Sequence, residues 1–178
     1  MAGFLTDIDT LRKRARIHIE KGPITDAYRA DLDRVIEVLN QALATEIVCT
    51  LRYKRHYFTA TGLDAAPVAQ EFLEHANEEQ QHADMIAQRI VQLGGDPDFN
   101  PEGLATRSHS EYDDSHDLIE MVKEDLVAER IAIESYAEIV RWLGNDDPTS
   151  RRVIEEILAR EEEHAEDLSS ILEKMDHN

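Results

Sequence analysis

Two short runs of the same form constrain this chain more than any other feature: Glu79-Gln80-Gln81-His82 and Glu161-Glu162-Glu163-His164. A glutamate and a histidine three residues apart share one face of a helix, one turn apart. No other Glu-x-x-His run occurs in the sequence. Each run has a lone glutamate upstream: Glu46 lies 33 residues before Glu79, and Glu129 lies 32 before Glu161. A tyrosine follows each lone glutamate by seven residues, at Tyr53 and Tyr136. The same constellation is therefore written twice, and the fold must hold both copies.

The surrounding apolar pattern is helical. From about Asp26 to Thr61, Leu32, Leu39, Glu46 and Tyr53 recur every seven residues, beside a row of Ile36, Leu43, Thr50 and Tyr57. A second helix is predicted from about Ala65 to Leu93, with the stripe Phe72, Ala76, Glu79, Ala83, Ile86, Ile90, Leu93, stopped by Gly94-Gly95-Asp96-Pro97. A third, about Ser115 to Leu143, carries Ile119, Val122, Leu126, Glu129, Ile133, Tyr136 and Val140. The turn Gly144–Asp147 and the start signal Pro148 precede a fourth helix to about Lys174, with Ile154, Leu158, Glu161, Ala165, Leu168 and Leu172. Gly (7) and Pro (5) are scarce and 32% of residues are charged, which suits long helices with few turns.

All four glutamates fall on the seam that each helix should bury, where a carboxylate is costly unless paired or metal-bound. Glu46 and Glu79 lie 16 and 17 residues from the turn at Gly62, and Glu129 and Glu161 each lie 16 from Asn145. The glutamates are thus level within each hairpin. The segment of about 20 residues between the hairpins, rich in Asp, Asn, Pro, Gly and Ser, is long enough to cross a bundle. Depth alone also allows a simple up-down return.

Four carboxylates and two imidazoles at one depth match two divalent cations in charge. Without cations, like-charge repulsion would raise the carboxyl pKa values. The expected arrangement has Glu79 and Glu161 bridging two metals, Glu46 and His82 completing one, and Glu129 and His164 the other. Oxygen-rich ligands with one imidazole per metal suit iron or manganese, with zinc as a competitor. Iron is favoured, because an open carboxylate-bridged pair binds O2 or peroxide and supplies one electron per metal. Tyr53 and Tyr136 are read as donors that orient carboxylates across the bundle, with a role as electron donors as a further reading, or as ordinary core tyrosines.

The ligand order Glu46, Glu79-x-x-His82, Glu129, Glu161-x-x-His164 resembles the bacterioferritin branch of the ferritin-like superfamily over about residues 28–175, and Asp84 after His82-Ala83 fits the likeness. The resemblance implies an all-α, ferritin-like four-helix bundle with a long crossover loop between helices two and three. It also implies a ferroxidase that oxidises Fe(II) and stores Fe(III) mineral in a protein shell, with two Fe per chain. Haem-binding bacterioferritins carry methionine where this chain has Gln80, so no haem is expected. Only 14 residues follow His164, which leaves no room for a fifth helix of the kind that lines 24-subunit cages. With a leader over residues 1–25 ahead of a bundle over 26–178, the chain is similar to Dps-like mini-ferritins with a bacterioferritin-type centre. That likeness implies a homo-oligomeric 12-subunit shell, with 24 as the second option, and peroxide-driven protection from oxidative damage. The alternative is a non-storing di-iron or di-manganese peroxidase or catalase-like enzyme. The absence of a Cys-x-x-Cys pair argues against a rubrerythrin-type protein.

A net charge of −19 repels nucleic acid and attracts cations. The one basic run, Leu11 to His18, reads as a short helix ended by Gly22-Pro23. It is taken as a solvated face in preference to an arm on DNA or a neighbouring subunit. One cysteine, Cys49, excludes an intrachain disulfide and reads as a small core residue. Neither a signal peptide nor a membrane-spanning apolar run is visible, so a cytoplasmic protein is expected. Glu74, His75 and Glu78 could guide iron, although a solvated acidic face is the plainer reading. His109 and His116 read as surface residues, and Trp142 as a packing anchor near a helix end.

Overall fold

The computed structural model describes residues 6–62 and 65–176; residues 1–5 of the leader and the last two residues of the bundle range lie outside them. Six α-helices follow in order: α1 (Ile8–Arg14), α2 (Leu32–Thr59), α3 (Ala65–Gln92), α4 (Leu104–Arg107), α5 (Leu118–Leu143) and α6 (Pro148–Asp176). Among the described residues there is no strand, and no helix is long and apolar enough to cross a membrane.

Three of the four long helices, α2, α5 and α6, start where an aspartate side chain satisfies free backbone N–H groups. Asp31 accepts from Arg34 N, so α2 begins at Leu32 and not at the predicted Asp26. Asp117 accepts from Ile119 N and Glu120 N and opens α5. Asp147 accepts from Ser150 N (2.9 Å) ahead of Pro148. The end of α3 is a tight reversal: Gly94 has φ +81°, and a Cβ on Gly95 would stand 2.8 Å from Ile36 Cγ2.

Hydrogen bonds fix the topology. Tyr53 meets Glu129 while Tyr136 meets Glu46, so α2 and α5 run antiparallel. Glu78 meets His164 while Arg89 meets Ser150, so α3 and α6 do too. With both hairpins antiparallel, α3 and α5 run the same way, and the chain between them must return along the bundle. It climbs α2: Asn40 bonds Asp96 and Asp98, Thr45 bonds His109, Arg52 bonds the Glu111 carbonyl, and Arg55 bonds those of Asp114 and Ser115. This is the crossover bundle, and the simple up-down return is excluded.

The core is split in two. One apolar cluster holds Leu39, Leu43, Ala83, Ile86, Ala132, Tyr136 and Ile157; the other holds Tyr53, Phe72, Ala76, Met121, Val122 and Leu168. The gap between them on every long helix is where the two glutamate–histidine constellations lie.

The basic run departs from its predicted extent. Helix α1 ends at Arg14, and none of its residues is buried. A helix this short that docks no face on its own bundle does not propagate, and His18 turns to φ 54°. Further on, Ile24, Tyr28 and Ala30 pack against the first core cluster. Trp142 is 46% exposed and does not anchor packing, because the buried face at the end of α5 falls on Ile139 and Leu143. His109 is half-buried rather than on the surface, its backbone N–H held by Thr45 Oγ1; His116 is exposed as expected.

Candidate metal centre

Glu46, Glu79, His82, Glu129, Glu161 and His164 are all buried, and they converge. Their donor atoms form two groups, each within 4.8 Å: Glu46, Glu79, His82 and Glu161, and Glu79, Glu129, Glu161 and His164. Glu79 and Glu161 belong to both. His82 Nδ1 lies 3.0 Å from Glu161 Oε1 and 3.3 Å from Glu46 Oε2. His164 Nδ1 lies 3.2 Å from Glu79 Oε1 and 3.4 Å from Glu161 Oε2. Both histidines present Nδ1 to Glu161, one to each of its oxygens, as expected of a site written twice.

The tyrosines act across the bundle. Tyr53 on α2 donates to Glu129 Oε1 on α5, and Tyr136 on α5 donates to Glu46 Oε1 on α2. Each lone glutamate thus has one oxygen held, and Glu46 keeps Oε2 free to face inward. Glu46 Oε2, Glu79 Oε1, both Glu161 oxygens and the Nδ1 atoms of His82 and His164 are buried without a hydrogen bond. Native proteins leave only a few such groups unpaired per 100 residues, so six converging at one point fit cation binding.

The pKa shifts that burial and charge impose on the cluster follow from the same imbalance. Burial, then the charges of Glu46 and Glu129, push Glu161 up to about 8. Burial and the charge of Glu79 hold Glu46 well above its ordinary value. Burial works the same way on Glu129, but His164, Glu161 and Tyr53 overcome it and draw it down to about 2. Burial opposes charge on His82, yet Glu161, Glu46 and Glu79 raise it to about 12, and the carboxylates Glu129, Glu161 and Glu79 raise His164 likewise. The imidazole protons are the counter-charges a divalent cation replaces.

Two residues beside the centre carry weak signals in the sequence. Glu78 Oε2 stands 2.6 Å from His164 Nε2 and so orients that ring. His75 is buried, stacked on His164 at 4.0 Å between ring centroids, with Nδ1 3.2 Å from Tyr53 Oη. It does not belong to a solvated acidic face, whereas Glu74 does. Cys49 is a buried core residue.

The ferritin-like domain family matches residues 36–177, and the chain belongs to that family. It is 33% identical over 145 residues to a nutrient stress-induced DNA-binding protein of Nostoc sp., covering 79% of this chain and 78% of that protein. It is 27% identical over 132 residues to a bacterioferritin of Desulfovibrio desulfuricans, covering 74% and 70%. Among solved structures, the bacterioferritin-related protein of Bacteroides fragilis, described as a dodecameric thioferritin, superimposes with a TM-score of 0.80 at 33% identity, over 84% of this chain and 90% of that one. The D. desulfuricans bacterioferritin, whose di-iron site is described in different catalytic states, gives 0.73 at 25% identity, over 82% of each. The buried Glu/His groups of this chain are like such a di-iron carboxylate site.

Proposed function

We propose that this chain is a mini-ferritin: a ferroxidase that oxidises Fe(II) with peroxide or O2 at a di-iron centre within each subunit and deposits Fe(III) inside a shell of its own copies. The observation that carries the reading is the pair of buried four-residue groups sharing Glu79 and Glu161. Four carboxylates balance two divalent ions, and the unpaired donor atoms are already turned inward. Manganese or zinc would fit the same donors; zinc has no redox chemistry, and iron is the metal this reading takes.

In this reading Glu79 and Glu161 would be shared between the two metal positions, Glu46 with His82 and Glu129 with His164 would complete each end, and the two Fe(II) taken as substrate would supply one electron each to reduce one peroxide to two hydroxides. Tyr53 and Tyr136 hold the terminal carboxylates in place, so that the iron pair meets a preset geometry. The apolar clusters on both sides keep bulk water away from the reacting pair. Gln80 is exposed and hydrogen-bonded to Asp84, and no haem is assigned there. Twelve copies are the favoured assembly, supported by the likeness to the B. fragilis protein. The site of action is the cytoplasm. DNA is not included as a partner, because the net charge of −19 opposes a phosphate backbone.

Analytical ultracentrifugation with metal content read on the same peak, followed by stepwise Fe(II) and peroxide, tests this. A shell of about 240 kDa, twelve chains of 20.3 kDa, taking up hundreds of iron atoms is the expected result. A monomer or dimer that holds two metals and turns over peroxide without mineral would replace it with the non-storing peroxidase.

A further inference from the structure

Apolar surface is exposed at both ends of the bundle, and the two patches are complementary. Where α2 turns into α3, Val68, Ile119, Ile171 and Met175 line a cavity of about 610 Å³. Glu71 and Asp117 stand in its wall, with Lys174 as one cation beside them. The charges of Asp167 and Glu74 also bear on Glu71, so the field at this mouth is negative.

At the opposite end the leader exposes Ile8 (62%), Leu11 (49%), Ile17 (51%) and Ile19 (74%). On α1, Ile8 and Leu11 share one face and Ala15 continues it, while Arg12 and Arg14 flank it on either side. Charge alone reads this run as a solvated face. Four large aliphatic side chains so close together mark a surface that meets a partner.

The cavity is out of reach of the leader of the same chain. Tyr28 Oη holds the leader to Asp147 at the start of α6 (3.0 Å), and Ile24 packs on the first core cluster. From Ile24 back to Ala15 the backbone runs through consecutive tight turns, at about 2 Å per residue or roughly 18 Å in all. Helix α1 adds roughly 10 Å. The 28 residues of α2 place the cavity about 42 Å from the anchored end. A second copy is under no such limit.

We propose that α1 of one copy docks in the end cavity of a second copy, with Ile8 and Leu11 against Val68, Ile119, Ile171 and Met175, and with Arg12 and Arg14 facing Glu71 and Asp117. The two patches are unlike, so the contact is head-to-tail. Each chain gives one arm and takes one, and the repeat closes into a ring or a shell. The contact rests on the reading that copies of this chain assemble; it is independent of the metal centre.

The test uses the full chain. In the double variant Leu11→Cys/Met175→Cys, a short bismaleimide added to the assembled protein should join each chain to the next. Denaturing electrophoresis should then show a ladder that runs beyond the dimer, and neither single variant should pass the dimer. Cys49 is buried and out of the reagent's reach. Leu11→Glu, a change at an exposed side chain, should raise the concentration at which the assembly dissociates by at least roughly tenfold, read by sedimentation on dilution. A wild-type chain that sediments as a monomer sinks both the assembly reading and this contact. A wild type that assembles while the double variant gives no ladder, or links only within one chain, overturns the contact and leaves the mini-ferritin reading standing. A Leu11→Glu assembly as resistant to dilution as the wild type overturns it as well.

Discussion

The Tyr53 hydroxyl on α2 donates to the Glu129 carboxylate on α5, so a residue seven places beyond one lone glutamate positions the other. Tyr136 and Glu46 repeat the relation in reverse. Each half of the repeat is completed by the opposite half, and neither hairpin forms the centre alone.

Tyr53→Phe and Tyr136→Phe should each weaken metal binding by about 10–100-fold while leaving the helices intact. Co(II) titration followed by circular dichroism checks both statements. Unchanged affinity in both variants would make the tyrosines plain core residues.

Glu161→Gln should stabilise the metal-free protein, because it removes a buried carboxyl that Glu46 and Glu129 already force towards its neutral form. A gain of about 1 kcal/mol corresponds to roughly 2–4 °C in Tm at this chain length. The same variant should fail to hold two ions. A lower metal-free Tm would contradict the charge argument.

Stability of the metal-free protein should fall as pH rises. Glu161 goes from its ordinary value of 4.5 to about 8 in the fold, so the native state binds the extra proton and stability drains between those values. His82 goes from 6.5 to about 12, so its favourable contribution is complete below 6.5 and is lost as pH climbs towards 12. Both slopes have the same sign between pH 6.5 and 8. Divalent metal should flatten or reverse the slope, since it competes with those protons. Thermal melts from pH 6 to 9, with and without Co(II), are the measurement. A rising metal-free Tm over this range would refute it.

Asp125→Ala should cost about 3–5 kcal/mol. Asp125 is buried on α5 and pairs with Arg52 Nε at 3.0 Å and His56 Nδ1 at 2.9 Å on α2, so truncation strands a buried guanidinium. Urea denaturation of the metal-free protein reads the loss. A change below 1 kcal/mol would mean that the Arg52 charge finds another partner.

Much of the fold was legible because long helices announce themselves by periodicity and by their breakers. Gly94-Gly95 and Asp147-Pro148 end α3 and open α6 as predicted. The start of α2 was misjudged by six residues, because apolar periodicity does not reveal which Asp will cap. On α5 the stripe read from the sequence ran through Ile119, Leu126 and Ile133, which are only half-buried. The deepest residues include Met121, Asp125 and Ala132, so the face is rotated. A charged residue such as Asp125 is assigned to solvent until its partners are known.

The sequence by itself determined that four glutamates and two histidines lie on buried seams at matching depth, since helical geometry converts spacing into face and height. Only the tertiary structure decided which residues meet. Periodicity names the face of a helix but not the helix across from it. The crossings from Tyr53 to Glu129 and from Tyr136 to Glu46 follow from the antiparallel packing of α2 on α5. The burial of His75 follows from the packing of α6, whose His164 ring covers it.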